Sequence, residues 1–299
     1  MREFYSKILL FGEYSVLRGS KALTIPYRYF SANLHFTELR EYNAGYKASN
    51  DILRTLAEFL ESNSGVRNAG FDLDRFRREV KEGLCLRSSI PEKYGLGSSG
   101  ALVAALFDRY MHDPERFSLS ELKDLMAEAE SFFHGRSSGI DPISCYVSQP
   151  LIFEEGGLHA IDQGSIRSFL ERCFLYDCGK PAATGKFINT FLESLNDPYF
   201  VSLYKKYITA VDLAIDRFTG DDSGRIGSFF RIISEFQMSH FMPMIPGEII
   251  KIWKKGLDTN RFYFKLCGSG GGGYMLIFSA LNEEELKSEL GPDLLAVSL

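Results

Sequence analysis

The sequence lacks the features that would place it in a specialised class of protein. Its five cysteines are odd in number, widely spread and without a Cys-x-x-Cys pair, so they indicate neither a disulfide framework nor a zinc site. The N-terminus shows no export signal, and no apolar run approaches the roughly 18 residues of a membrane-spanning helix. We therefore expect a cytoplasmic location and no membrane partner.

Positive charge is also scarce. The chain has 34 Lys and Arg against 39 Asp and Glu, a formal net charge of −5. A nucleic-acid surface needs clustered positive charge, so we expect no nucleic-acid partner and favour a small-molecule substrate. At 299 residues, 45% of them hydrophobic, the chain is typical of a globular protein with two domains or one large one, and a homodimer stays open.

Hydrophobic patterning predicts strands and helices in mixed order. This order favours an α+β fold with antiparallel sheets over a doubly wound one. A change of pattern near residue 168 predicts a boundary between domains 1–168 and 169–299. Strands are predicted at 7–11, 29–39, 172–179, 261–266 and 274–280, a hairpin turning at 156–157, and helices at 51–61, 118–133, 198–218 and 282–290.

The first of two glycine runs, YGLGSSGALVAAL at 94–106, fits the dinucleotide pattern G-x-G-x-x-G through Gly95, Gly97 and Gly100. A dinucleotide site needs a buried strand directly before the first glycine. Here the preceding residues, RSSIPEKY, predict a loop because they contain Pro91 and several charges. The residues that follow predict a helix start, whose unpaired N–H groups attract anions. The run therefore indicates phosphate binding outside a Rossmann fold.

The second run, GSGGGG at 268–273, lies between two predicted strands, so no helix begins on it. Glycines there would let the backbone approach a ligand closely, since they have no side chain. A tight turn explains either run equally well when each is considered alone.

Four segments together resemble the motifs of the GHMP kinase superfamily, the small-molecule kinases of galactose, homoserine, mevalonate and phosphomevalonate. They are KILLFGEYSVLRGSKAL (7–23), PEKYGLGSSGALVAAL (91–106), ESFFHGRSSGID (130–141) and KLCGSGGGGYMLIFS (265–279). The third is similar to the mevalonate kinase pattern E-x-x-x-H-G-x-P-S-G-x-D. Their order and spacing match that family along nearly the whole chain.

The resemblance implies a two-domain α+β fold. It pairs an N-terminal domain like domain 2 of ribosomal protein S5 with a C-terminal ferredoxin-like α/β sandwich, and it places the active site in the cleft between them. It also implies ATP and Mg²⁺ as cofactors. The reaction would transfer the γ-phosphoryl group to a hydroxyl of mevalonate or a related hydroxy acid, a step of isoprenoid biosynthesis.

The resemblance also assigns site residues. Asp141 would be the catalytic base with Lys7 beside it, and Ser99 and Glu130 would hold the metal. The predicted ATP-binding residues are Gly95, Leu96, Gly97, Ser98, Ser99, Gly100, Gly268, Gly270 and Gly271. The predicted substrate residues are Glu13, Tyr14, His134, Ser138 and Thr184.

Most of these residues have a structural alternative that the sequence leaves open. Glutamate on an amphipathic helix usually faces solvent, aspartate before proline usually marks a turn, and lysine at a strand end is usually solvated. These alternatives apply to Glu130, Asp141 and Lys7, whereas Ser99 and Thr184 could cap helices and His134 could end one.

Two departures from the mevalonate kinase pattern concern the acceptor. Tyr14 stands where mevalonate kinases usually have histidine, and tyrosine is the form seen in phosphomevalonate kinases. Ser137 stands where mevalonate kinases usually have proline. A phosphorylated acceptor or a sugar therefore stays open, and Arg136, Lys180 and Lys186 are candidate anion contacts. A binding protein without turnover is disfavoured, because all four proposed catalytic and metal residues are present.

Overall fold

The computed structural model describes residues 1–37, 44–182, 184–219 and 226–299, without the side chains of residues 165, 168 and 184–186. The strands are β1 (Phe4–Phe11), β2 (Ala22–Phe36), β3 (Leu84–Ser88), β4 (Leu151–Glu154), β5 (Gly157–Ala160), β6 (Cys173–Asp177), β7 (Phe262–Leu266), β8 (Tyr274–Ser279) and β9 (Leu294–Ala296). The helices are α1 (Ala44–Ser62), α2 (Ser64–Asn68), α3 (Leu73–Lys81), α4 (Ser98–Tyr110), α5 (Leu119–His134), α6 (Ile140–Val147), α7 (Gly164–Leu170), α8 (Thr184–Ser194), α9 (Pro198–Thr219), α10 (Ile226–His240), α11 (Gly247–Thr259) and α12 (Glu283–Leu290).

The chain forms two compact units, each discontinuous in sequence. The first unit comprises Met1–Lys7, Arg28–Pro91 and Gly97–Ser148, and the second comprises Ile8–Tyr27, Glu92–Leu96 and Gln149–Leu299. The first glycine run is thus divided between the units after residue 96. The division into 1–168 and 169–299, drawn from the change of pattern near residue 168, stays a prediction.

The first unit is built around α4. Residues 101–107 of this helix are each at most 5% exposed, and α4 packs against α5 and α6. A helix that is apolar all round belongs in a core, so its hydrophobicity explains why it is surrounded. In the same unit β3 pairs antiparallel with the second half of β2, from Ala32 opposite Ser88 to Phe36 opposite Leu84.

Two helices bring side chains to the start of α4. The capping box predicted for α5 is confirmed, because Ser118 accepts from the Glu121 amide while Glu121 accepts from the Ser118 amide. The helix α6 was not predicted, since Asp141 and Pro142 suggested a turn. Proline is tolerated in the first turn of a helix, where its missing N–H would have no partner, so α6 begins just after Gly139.

The second unit contains a four-stranded antiparallel sheet in the order β7-β8-β6-β9, covered by helices that include α10 and α11. Phe262 pairs with Ser279 at one end of β7–β8, and Cys173 pairs with Phe278 in β6–β8. A hairpin joins β4 and β5, with Glu154 opposite Gly157, and β4 pairs antiparallel with the start of β2, where Ala22 lies opposite Phe153. This hairpin and the strands β6, β7 and β8 lie where the sequence predicted them.

The remaining predictions differ mainly at boundaries. The predicted strand 29–39 is the second half of the longer β2, and residues 38 and 39 lie outside the described ranges. The helix predicted at 51–61 begins earlier, at Ala44, and α3, α10 and α11 were not predicted. None of the described helices has the length and apolar character needed to cross a membrane.

Candidate active site

The N-terminus of α4 carries the predicted phosphate loop of the first unit. Gly97 is its N-cap, with a left-handed φ of 76°, and no side chain caps this end. The first intrahelical bond runs from the Ala101 amide to the Gly97 carbonyl, at 2.9 Å. The N–H groups of Ser98, Ser99 and Gly100 therefore precede the helical ladder, and this end of the helix suits an anion.

Gly100 allows α4 and α6 to approach closely. A Cβ atom at this position would lie 2.7 Å from the carbonyl carbon of Asp141, which is shorter than any normal contact. Glycine is therefore required for the contact and not for an unusual backbone angle. The consequence is that Asp141 lies beside the first turn of α4.

Asp141 is paired with Lys7. The Lys7 Nζ lies 2.9 Å from Asp141 Oδ1, and the two side chains are 3% and 35% exposed. The solvated-lysine alternative is thus wrong, since a buried ammonium needs a charged or polar partner. The arrangement leaves Asp141 reachable from solvent while Lys7 is enclosed.

Glu130 is 3% exposed, so the solvated-face alternative is wrong for this residue as well. Its Oε1 accepts from the Ser99 hydroxyl at 2.9 Å, and its Oε2 accepts from the Ser137 hydroxyl. Burial, followed by the nearby charge of Asp141, raises the pKa of Glu130 to about 7 against the opposing effect of the two hydroxyls and Lys7.

His134 and Ser138 lie at the edge of this cluster. The His134 Nε2 is 3.1 Å from the Ser99 hydroxyl oxygen, although His134 is also the last residue of α5. Ser138 is exposed, and its hydroxyl accepts weakly from the Ile140 amide at 3.4 Å. The first unit therefore gathers the predicted residues Lys7, Ser99, Glu130, His134 and Asp141.

The second glycine run, described within the second unit, is tightly packed against protein. The Gly271 amide donates to the Met244 carbonyl at 2.6 Å, and the Gly273 amide donates to the Lys180 carbonyl at 2.7 Å. A Cβ at Gly271 would lie 2.1 Å from Phe187 Cε2. These two amides already have protein acceptors, so they are not presented to a phosphate in this arrangement.

The rest of the predicted ATP-binding residues in this unit lie close to that run. A Cβ at Gly95 would be 2.2 Å from the Cys267 carbonyl oxygen, and one at Gly268 would be 3.6 Å from Gly95 Cα. Gly270 and Leu96 are buried. The nucleotide-binding role of these residues stays a prediction.

Glu13 and Tyr14 were predicted to contact substrate, yet both side chains are buried in the second unit. Tyr14 is 6% exposed, and its hydroxyl donates to the Ser269 carbonyl at 2.6 Å. The centroid of its ring lies 4.9 Å from the ring centroid of Phe191 and 5.1 Å from that of Phe241. Burial and then the charge of Glu13 raise the pKa of Tyr14, so the phenol stays neutral. This placement argues for a role in holding the glycine run.

Lys265 is a residue that sequence reasoning missed. Its side chain is 0% exposed and donates to Glu13 Oε1 and to the Leu266 carbonyl. The signal that could have found it is a single lysine within the apolar strand segment FYFKL, because such a charge needs a buried counter-charge. The nearby Gln237 accepts from the Leu266 amide and donates to the Tyr207 hydroxyl, which extends the network.

Four predicted contact residues remain. Thr184 is the first residue of α8, but its side chain and that of Lys186 lie outside the described part of the chain. Lys180 pairs with Glu248 at 2.5 Å on the surface, and Arg136 is exposed between α5 and α6.

Metal ligands were assessed across the described ranges. No cluster of three or more His, Cys, Asp or Glu side chains there could hold a metal ion. A Mg²⁺ ion bound with a nucleotide needs fewer protein ligands, because phosphate and water oxygens complete its coordination. Glu130 and Ser99 provide one carboxylate and one hydroxyl 2.9 Å apart, and this donor set fits Mg²⁺.

Residues 50–149 match the family model described as the GHMP kinases N terminal domain. This range contains Ser99, Glu130 and Asp141. The match supports the resemblance to GHMP kinases for this segment of the chain. Among curated proteins, no sequence matches this chain.

Solved structures of GHMP kinases share the fold over nearly the whole chain. Mevalonate kinase of Methanococcus jannaschii is 20% identical, with a TM-score of 0.62, and the match covers 97% of this chain and 92% of that one. Phosphomevalonate kinase of Streptococcus pneumoniae is 15% identical, with a TM-score of 0.59 and coverage of 98% and 97%. Galactokinase of Lactococcus lactis is 13% identical, with a TM-score of 0.60 and coverage of 96% and 87%. The predicted α+β GHMP kinase fold is confirmed.

Proposed function

We propose that this chain is an ATP- and Mg²⁺-dependent kinase that transfers a γ-phosphoryl group to a hydroxyl of mevalonate or a closely related hydroxy acid. The observation that carries this proposal is the group of side chains at the start of α4. There the Lys7–Asp141 ion pair and the Ser99–Glu130 hydrogen bond lie beside the same helix N-terminus. Phosphoryl transfer needs a phosphate cradle, a metal site and a group that orients the attacking hydroxyl.

Each requirement has a candidate in the chain. The first-turn N–H groups of α4 would bind phosphate oxygens of ATP. Ser99 and Glu130 would hold Mg²⁺, which when bound offsets negative charge on the phosphate oxygens. Asp141 would accept the proton of the acceptor hydroxyl, and it is the more exposed member of its ion pair. Lys7 would hold that carboxylate in place and add positive charge next to the reacting group.

Mevalonate is favoured as the acceptor by the motif at 130–141. Phosphomevalonate is the second candidate. It is favoured by the exposed Arg136, which lies between α5 and α6 close in sequence to Asp141 and could pair with a phosphate of the acceptor. We also propose that the chain has two domains, divided near residue 168.

An ADP-release assay with a panel of acceptors tests the proposal. We expect ATP-dependent ADP release with mevalonate or phosphomevalonate, and none when EDTA replaces Mg²⁺. Homoserine and common sugars complete the panel. Asp141→Asn should lose turnover in this assay. Its matched control is Asp124→Asn, which should keep full activity because Asp124 pairs with Lys123 on the surface of the same unit. Turnover with none of these acceptors, from protein that binds ATP, would refute the proposed reaction.

A further inference from the structure

Ser137 stands where mevalonate kinases have proline, and it makes hydrogen bonds that a proline cannot. Its hydroxyl donates to Glu130 Oε2. The same hydroxyl oxygen accepts from the Gly139 amide at 3.0 Å. Because Gly139 is the N-cap of α6, this serine connects the carboxylate on α5 to the start of the helix that carries Asp141.

The two oxygens of Glu130 have different partners as a result. Oε1 accepts from the Ser99 hydroxyl at 2.9 Å, whereas Oε2 accepts from Ser137. The side chain is 3% exposed, so the surrounding atoms leave it little freedom to rotate. Oε1 is therefore the oxygen on the side of α4, and Oε2 is held on the side of the loop between α5 and α6.

We propose that Ser137 is a positioning residue that holds Glu130 so that Oε1 alone is presented to the metal ion. This inference rests on the proposed function, because the metal ion is the one assigned there to Ser99 and Glu130. It adds a residue that the family motif does not contain.

The physical reason is that a buried carboxylate oxygen without a hydrogen-bond donor is unfavourable in free energy. Without the Ser137 hydroxyl, Oε2 would lose a charge-assisted hydrogen bond, and the Gly139 amide would lose its acceptor. The carboxylate could then turn between orientations, and some of these would move Oε1 away from Ser99. Groups that orient a metal ligand in this way contribute measurably to metal affinity.

Binding of Mn²⁺ tests this inference without relying on turnover. Mn²⁺ takes the same oxygen ligands as Mg²⁺, and the EPR signal of the free ion reports its concentration. We would titrate the full chain with Mn²⁺ in the presence of one equivalent of ADP, and subtract the Mn²⁺ held by ADP alone in a protein-free titration. Ser137→Ala should weaken Mn²⁺ binding about tenfold. Ser137→Thr keeps a hydroxyl and should stay within about twofold of the unsubstituted protein.

Two further variants make the result specific. Ser131→Ala removes a hydroxyl that donates to the Glu128 carbonyl on the same helix, so it should leave Mn²⁺ binding unchanged. Glu130→Gln removes the proposed ligand itself and should weaken binding more than Ser137→Ala does. Thermal unfolding of every variant shows whether it is folded.

The outcomes separate this inference from the proposed function. If Glu130→Gln weakens Mn²⁺ binding and Ser137→Ala does not, the positioning role is wrong and the metal site stands. If Glu130→Gln also binds Mn²⁺ normally, the metal site of the proposed function is wrong, and the role of Ser137 falls with it. Equal losses in Ser137→Ala and Ser131→Ala would likewise overturn the positioning role.

Discussion

The glycine run that begins at Gly95 leads into α4, whereas the run at 268–273 joins the strands β7 and β8. At the first run, Gly100 allows Asp141 to come close, and the first-turn amides precede the helical ladder. At the second run, the Gly271 and Gly273 amides donate to protein carbonyls. The two runs therefore have different surroundings: the proposed catalytic residue Asp141 lies beside the first, whereas protein carbonyls and Phe187 pack against the second.

The role of a glycine motif therefore depends on the groups that surround it. Glycine removes a side chain, and either a ligand or another part of the protein can fill the space. If the comparison is right, substitutions around the first run change activity with little effect on stability. Substitutions around the second run should do the reverse.

The largest expected effect is that of Asp141→Asn. Loss of the proposed base should lower kcat by about 10³-fold, as is typical when general base catalysis is removed. ADP binding should be retained, because the phosphate loop is unchanged. The measurement is steady-state turnover together with ADP affinity. Turnover close to the original rate would show that Asp141 is not the catalytic base, and the first glycine run would then have no catalytic neighbour.

The burial of Glu130 predicts that the free energy of unfolding depends on pH. Its pKa is raised from 4.5 to about 7, so the folded protein binds this proton more tightly than the unfolded chain does. The resulting stabilisation is complete below about pH 4.5 and is lost as the pH rises through about 7.

Without Mg²⁺, the free energy of unfolding should therefore fall with rising pH by about 3 kcal/mol more in the natural sequence than in Glu130→Gln. Urea unfolding at a series of pH values measures this difference. Glu128→Gln is the control, because Glu128 is exposed on the same helix. Parallel pH profiles for the natural sequence and Glu130→Gln would contradict the burial of an ionisable Glu130.

Gly271→Ala tests the packing role of the second run. The new Cβ would meet Phe187 at 2.1 Å, and the left-handed φ of 82° adds strain, so unfolding should cost about 3 kcal/mol less. Gly19→Ala is the matched control, since Gly19 has a φ of 84° and open space around it. That control should lose about 1 kcal/mol. Equal losses in urea unfolding would show that packing against Phe187 contributes nothing.

The smallest effect concerns Tyr14. Tyr14→Phe removes the donor to the Ser269 carbonyl and should cost about 1 kcal/mol, with faster amide exchange in residues 268–273. Tyr204→Phe is the control, because the buried Tyr204 hydroxyl has no hydrogen-bond partner among the described residues. Removing it should be neutral or slightly stabilising. Unchanged exchange in Tyr14→Phe would separate Tyr14 from the glycine run.

Much of the fold follows from local patterns in the sequence. The capping box at Ser118, the length of α9 and the strands around the second glycine run all agree with prediction, because helix caps and hydrophobic periods act over a few residues. The helix α6 did not follow, since an Asp-Pro pair is common both in turns and in a first helical turn.

The sequence by itself indicated the GHMP kinase fold, through the order and spacing of four motifs, and it predicted the residues of the candidate site. Only the tertiary structure decided which of them are buried and what they face. The resemblance placed Lys7 beside Asp141 but did not indicate that Lys7 is buried there. The Glu13–Lys265 pair joins distant segments and followed neither from a motif nor from local preference. Each buried charge needs a partner, and the folded chain supplies it from a distant segment.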